Sequence, residues 1–184
     1  TIMNQGDYIN IIIKSVLSSI LLGAVLAIIV LALFLKDIRP TIVVAFSIPF
    51  SVLFAIIIMY FTGININVMS LAGLCLGIGM LVDNSIVVME NIYRFRNEGM
   101  SASKAAVRGT AQVAGPILAS TITTICVFLP MVYTSGMVSQ LLMPFAFTIS
   151  YALIASLLVA LTVVPTMGSV LLRKTKDVKQ PWFD

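Results

Sequence analysis

The sequence predicts an all-α fold, a polytopic membrane bundle of five transmembrane helices plus a short cytoplasmic amphipathic helix. Three observations carry that prediction. First, 60% of the 184 residues are hydrophobic, only 10% are charged, and mean hydropathy is +1.11. A soluble domain has about 25% charged residues, so this chain lacks the polar groups to cover its own surface. Second, Ile20–Leu35, Thr41–Thr62, Val68–Val82, Val113–Thr134 and Leu141–Leu172 are apolar or nearly so. Most of them reach the ~20 residues that cross a bilayer. Third, every one of the 11 Lys and Arg residues except Lys14 falls in alternate connections between these runs.

Residues 1–8 read as an external stub, and 9–36 as the first transmembrane helix, with Lys14 free to snorkel toward an interface. "KDIRP" is a tight turn that sets Pro40 at a helix start, opening the second span, 40–62. The uncharged "FTGININ" leads to the third span, 66–93, which carries an acidic signature. The segment "NEGMSASKAAVRGTAQVAGP" differs in kind. Its Ser101, Ala102, Lys104, Ala105 and Ala106 predict a separate amphipathic helix over 98–112, ending before Pro116. Spans at 113–134 and 138–173 follow, joined by the uncharged "YTSGMVSQ". A polar tail, 174–184, ends in Trp182 and Phe183, residues suited to an interface. Pro49, Pro130, Pro144 and Pro165 lie in or near span ends, where neighbouring helices re-satisfy the freed backbone groups.

Lys36 and Arg39, then Arg94, Arg96, Lys104 and Arg108, then Arg173, Lys174, Lys176 and Lys179 share one side. The positive-inside rule makes that side cytoplasmic, with the amino end outside. The net charge of +4 is therefore a topology signal and not a nucleic-acid footprint. Cys75 and Cys126 fall mid-span, where cysteine is a small apolar packing residue, and the chain has no histidine and no zinc-type spacing. A short polar stub running straight into a span, without a signal peptide, predicts a piece of a longer protein.

The chemistry lies in "GIGMLVDNSIVVMEN", Gly77 to Asn91. Residues seven apart turn through about 700° and rise about 10.5 Å, so Asp83 and Glu90 share one face and Asn84 and Asn91 the adjoining one. Asp83 lies roughly 5 Å past the centre of the span, and Glu90 approaches the interface. Upstream, Gly73 and Gly77 have GxxxG spacing, with Gly79 nearby, and such residues permit close helix approach. This small and polar stripe, reaching back to Ser70, is expected to face the inside of the bundle. An ionised aspartate near the bilayer centre costs about 2.5–3.5 kcal/mol. No Lys or Arg stands at matching depth in another span, so Asp83 either stays protonated or pairs with a cation from outside this chain. A group that alternates between those states carries protons. The plainer alternative is a buried acid that holds helices together. Near the interface, Glu90 is equally a solvated side chain offsetting Arg94.

This signature, "GIGMLVDNSIVVMENIYR", resembles that of the fourth transmembrane helix of the resistance–nodulation–division (RND) transporters, in their drug- and metal-efflux branch. "LFLKDIRPTIVVAFSIPFSVL", "GININVMSLAGL", "GMSASKAAVRGTAQV", "STITTICVFLPMVY" and "PWFD" extend the resemblance over essentially the whole chain. It implies the family's second to sixth transmembrane helices in the bacterial inner membrane. It also implies a proton-driven exporter, trimeric at full length, whose substrate domains lie outside this chain and whose second transmembrane half supplies the cations. Asp83 matches the proton-relay aspartate, with Asn84, Glu90 and Asn91 in support. Asn84 stands where many members have a second aspartate. The expected partners are the lipid bilayer, that second half and a small-molecule substrate, without nucleic acid. Protons are the coupling ion and no other cofactor is expected.

Two alternatives stay open: a proton-driven protein-translocation motor subunit, whose signature continues toward "FERI" where this chain has "MENI", and a non-transporting lipid-sensing scaffold. An intramembrane aspartyl protease needs two aspartates in one site. Asp7, Asp37, Asp177 and Asp184 all lie outside the spans. The ten methionines are scattered, and Met80 and Met89 do not share a face, which reads as packing and not a metal path. The hydroxyl cluster Ser120, Thr121, Thr123 and Thr124 reads as helix–helix glue, with a water-wire role beside Asp83 as the alternative.

Overall fold

The computed structural model describes residues 38–174 and, before them, residues 11, 14, 15, 18, 21–23, 25, 26, 28 and 29. The latter are helical and mostly exposed. Most of the predicted 9–36 span, the 1–8 stub and the tail beyond 174 lie outside the described residues. Four long helices follow: α1 (Ile38–Thr62), α2 (Val68–Asn97), α3 (Ala102–Val132) and α4 (Met137–Leu171), with a 3-10 turn at Leu172–Lys174. All four are long and apolar enough to cross a membrane, and no strand occurs among the described residues. The all-α membrane bundle expected from composition is what forms.

Each helix buries one face and leaves apolar side chains on the other, the pattern of a span in lipid. On α1, Thr41, Val44, Ile48, Ser51, Ala55 and Met59 recur every three or four residues and are buried, while Phe46, Phe50, Leu53, Tyr60 and Phe61 are exposed. The central element is α4, which packs on α1, α2 and α3 and makes its largest interface with α2. Small residues allow this. Ala146, Ala152, Ala155, Ser156, Ala160 and Gly168 line its buried sides.

The ends of α2 are set by local chemistry. At its start the Asn67 side chain accepts from the Ser70 amide at 2.8 Å, and Ser70 Oγ accepts from the Asn67 amide at 2.7 Å. This reciprocal capping box satisfies two amides that the helix leaves unpaired. At its end Gly99 adopts φ 92°, a left-handed geometry that glycine adopts without penalty. The Met100 amide then reaches back to the Phe95 carbonyl and the Gly99 amide to that of Arg96, closing the helix as a Schellman motif. The same device ends α1 at Gly63, φ 71°.

The structure corrects one boundary. Sequence reasoning separates an amphipathic helix, 98–112, from a span, 113–134; the structure runs them together as α3, with Pro116 inside. The buried face explains why. Ala102, Ala105, Ala106 and Gly109 continue without a break of phase into Ile117 and Thr121. Proline removes one backbone bond, and the packing of this continuous face outweighs that loss. The amphipathic turns therefore pack against the bundle as the first part of α3. At Gly109 the approach to α2 is so close that a Cβ would sit 2.8 Å from Ile92 Cα.

Glycine spacing makes a direct prediction. A Cβ on Gly77 would lie 2.7 Å from that of Ala152, whereas one on Gly79 would meet nothing within 4 Å. Gly77→Ala and Gly109→Ala should each destabilise the bundle by about 1–3 kcal/mol through overpacking. Gly79→Ala should be neutral or stabilising by about 0.5–1 kcal/mol, because alanine lowers the entropy cost of a helix. Thermal unfolding of the three variants in detergent micelles measures the contrast.

Candidate functional site

The polar stripe of α2 is two columns, not one. Ser70, Gly73, Gly77, Asn84 and Asn91 are buried. Stepping at about 100° per residue puts all five within about 40° of one line. Ala72, Leu76, Gly79, Asp83, Val87 and Glu90 are exposed and form a second line about 100° away. The expectation that the whole stripe faces inward therefore holds for the first column and fails for Asp83, Glu90 and Gly79. The reason is the neighbouring positions of Asp83 and Asn84: at 3.6 residues per turn, one helix face cannot hold both.

The inner column ties α2 to its neighbours. Gly73 lies against Phe145, where a Cβ would be 2.8 Å from the carbonyl oxygen, and Gly77 lies against Ala152. Asn84 Nδ2 donates toward Thr121 Oγ1 at 3.4 Å and Ser156 Oγ at 3.3 Å, joining α2, α3 and α4 through buried side chains. Two turns on, Asn91 Nδ2 donates to the Gly109 carbonyl at 2.7 Å and to Gln112 Oε1 at 3.2 Å. Arg94 Nη2 donates to the same Gln112 oxygen at 3.0 Å. Within the hydroxyl cluster only Thr121 bridges helices, as the glue reading expects. Ser120, Thr123 and Thr124 donate back to carbonyls of their own helix. Gly109, Gln112 and Ser156 were not singled out from sequence. A lone serine in an apolar run or a glutamine in an amphipathic turn carries no signal until its neighbour is known.

The outer column has no hydrogen-bond partner on another helix among the described residues. Asp83 has no hydrogen bond or ion pair to any described residue. Apart from Lys14, the described basic residues all lie toward one end of the bundle: at the start of α1, the end of α2, the start of α3 or just after α4. Along α2 itself the nearest, Arg94, lies roughly 16 Å of rise away. Glu90, two turns from Asp83, borders an open cleft of about 570 Å³ with Val87, Asn91, Arg94 and Glu98. Arg94 Nε is 3.8 Å from Glu98 Oε1 and both side chains are half exposed. Such a pair contributes little and does not hold the site. No group of three His, Cys, Asp or Glu side chains gathers among the described residues. Met89 is fully buried, beside Gly168, a packing role.

An apolar bundle that carries an ionisable side chain at mid-depth has the makings of a membrane transport protein, since such groups mark ion pathways. Comparison with known proteins agrees. The profile of the AcrB/AcrD/AcrF family matches residues 1–184, and the chain belongs to that family of RND transporters. It is 38% identical over 176 residues to the swarming motility protein SwrC of Bacillus subtilis strain 168, covering 94% of this chain and 17% of SwrC. It is 37% identical over 167 residues to the multidrug resistance protein MdtC of Escherichia coli K12, covering 91% of this chain and 16% of MdtC. The crystal structure of a heavy metal efflux pump superposes with TM-score 0.76 at 34% identity, over 88% of this chain and 16% of the pump. The chain thus spans about a sixth of the length of these relatives.

The inner column generates a prediction independent of transport. Hydrogen bonds between membrane helices average about 0.6 kcal/mol and reach about 1.7. Asn84→Ala and Asn91→Ala should each lower stability within that range, and Ser156→Ala in the Asn84→Ala background should cost less than it does alone. A double-mutant cycle read by unfolding in micelles checks it, and strict additivity would show that the contact is not formed.

Proposed function

We propose that this chain is the proton-coupling transmembrane part of a proton-driven exporter of drugs or other small amphiphiles, with Asp83 as the proton carrier. The observation that carries the reading is the outward position of Asp83 on an apolar span, without a partner among the described residues. Left against hydrocarbon, the ionised group would cost about 2.5–3.5 kcal/mol. The face is better explained as one that a second bundle covers, bringing a Lys or Arg to the carboxylate. Gly79, one turn above and without a contact of its own, leaves room for that bundle to come close.

On this reading Asp83 takes a proton from the outer side, releases its cation, and lets the two bundles shift. The shift reaches extracytoplasmic domains that choose and move substrate. Release toward the basic, cytoplasmic end follows the outer column past Val87 to the cleft at Glu90. Each proton that crosses supplies about 2.3 kcal/mol per 100 mV of membrane potential. Asn84 and Asn91 hold α2 in place while its acid face works. With asparagine at position 84 the relay has one acid, so one proton per transition is the natural count. Family membership favours an exporter over a translocation motor or a lipid-sensing scaffold. A trimer in the bacterial inner membrane, amino end outside, with protons as the only coupling ion, completes the proposal.

Asp83→Asn in the full-length transporter, reconstituted in liposomes, should insert normally and export no faster with a pH gradient than without one. Export at the unmodified rate would remove Asp83 from the relay.

A further inference from the structure

The cleft below Asp83 is lined by three charged side chains, Glu90, Arg94 and Glu98, which follow one another at four-residue steps along α2 and its cap. Side chains at that spacing are neighbours on one helix face, and an acid four residues before a base pairs better than the reverse order. Helix rules therefore favour Glu90 with Arg94. The structure holds the other pair. Arg94 Nε is 3.8 Å from Glu98 Oε1, and Glu90 has no ion pair or hydrogen bond to another described side chain. The reason lies on α3. Gln112 Oε1 accepts from Arg94 Nη2 at 3.0 Å and from Asn91 Nδ2 at 3.2 Å. A guanidinium has donors only, so it fixes the Gln112 amide with the oxygen toward α2, and the two bonds use both lone pairs of that oxygen. A hydrogen bond from a charged donor is stronger than a neutral one, enough to outweigh the small gain of an exposed helix pair. No other group near the cleft does this. From α3 the lining takes only Val113, and from α1 and α4 nothing; Arg108, one turn before Gln112, is exposed and does not line it.

We propose that Gln112 is a positioning residue for proton release: it holds the Arg94 guanidinium to α3 and Glu98, and so leaves the Glu90 carboxylate open to the proton that comes from Asp83. Without the Gln112 oxygen, Arg94 takes the favoured pair with Glu90, and a carboxylate paired with a cation is a weaker proton acceptor. Asn91 keeps its 2.7 Å bond to the Gly109 carbonyl in either case, so the fastening of α2 to α3 survives the loss. The consequence for transport rests on the relay reading given above; the competition between Gln112 and Glu90 for Arg94 does not.

The test uses the full-length transporter in liposomes, driven by a pH gradient, with ethidium as the exported probe. Gln112→Met keeps the side-chain length and removes the amide oxygen. It should lower the maximal export rate roughly twofold, the worth of one exposed helix pair, and leave the half-saturating ethidium concentration unchanged. Gln112→Glu, which keeps an acceptor for Arg94, should restore the rate. In an Arg94→Gln background Gln112→Met should have no effect, because no cation remains to capture Glu90. A residue that only fastens two helices would lower the rate in both backgrounds; that result overturns the proposal, as does an unmodified rate in Gln112→Met. A second readout needs no transport. A double-mutant cycle of Glu90→Gln and Arg94→Gln, read by unfolding in micelles, should show no coupling in the unmodified protein and roughly twofold coupling in the unfolding constant once Gln112 is Met. If Gln112→Met fails to insert, the cycle in the unmodified protein decides alone: coupling refutes the proposal and its absence supports it. Should Asp83→Asn export at the unmodified rate, the relay falls and the cycle still judges Gln112. Loss of gradient-driven export in Asp83→Asn beside an unchanged rate in Gln112→Met keeps the relay and rejects Gln112.

Discussion

A carboxyl group facing outward from an apolar helix is the constraint on which the rest of this bundle turns. Hydrocarbon does not solvate a charge, so the acid must be neutral or covered. The described helices do nothing to cover it. They do the opposite work on the adjoining face, where Gly73 and Gly77 let α4 approach and Asn84 and Asn91 engage α3 and α4. The result is a helix fastened along one line and presenting its acid along another, about 100° away. That division suits a helix whose working face meets a separate moving body.

The fastening is polar where it needs to be specific and small where it needs to be close. At mid-depth, Asn84 reaches two hydroxyls on two different helices. Because unsatisfied polar groups are costly in an apolar interior, this junction favours one register of α2 against α3 and α4. Nearer the basic end, Asn91 and Arg94 converge on Gln112, and Arg96 reaches the Leu172 carbonyl at 3.4 Å and the Met100 carbonyl at 3.0 Å. These contacts gather the end of α2, the start of α3 and the end of α4 at one level, which fits the common side assigned to the basic connections.

Fold class was legible because composition and run length leave a chain with 10% charged residues no other way to fold. Helix ends at Asn67 and Gly99 follow from capping chemistry, but sequence reasoning ends this span at 93 and begins the next helix at 98, across the glycine that in fact closes it. The break expected before Pro116 was misplaced because a proline rule is local, while the buried line from Ala102 to Thr121 is a property of the packed bundle. The acid itself was conspicuous, but its direction was not. Asp83 and Asn84 are equally polar, and nothing in "VDN" says which one the neighbours take. Ser156 and Gly109 were invisible for the same reason: their roles are defined by Asn84, Asn91 and Ile92 across the interface.

The central claim is that the Asp83 carboxyl gains and loses a proton as the transporter works. Infrared difference spectroscopy of the reconstituted full-length protein, with aspartate isotopically labelled and Asp83→Asn as the blank, observes that group directly. The account predicts a protonated-carboxyl band, absent from the blank, that rises and falls as the pH on the outer side is stepped. A band that stays constant through those steps while export proceeds would contradict it.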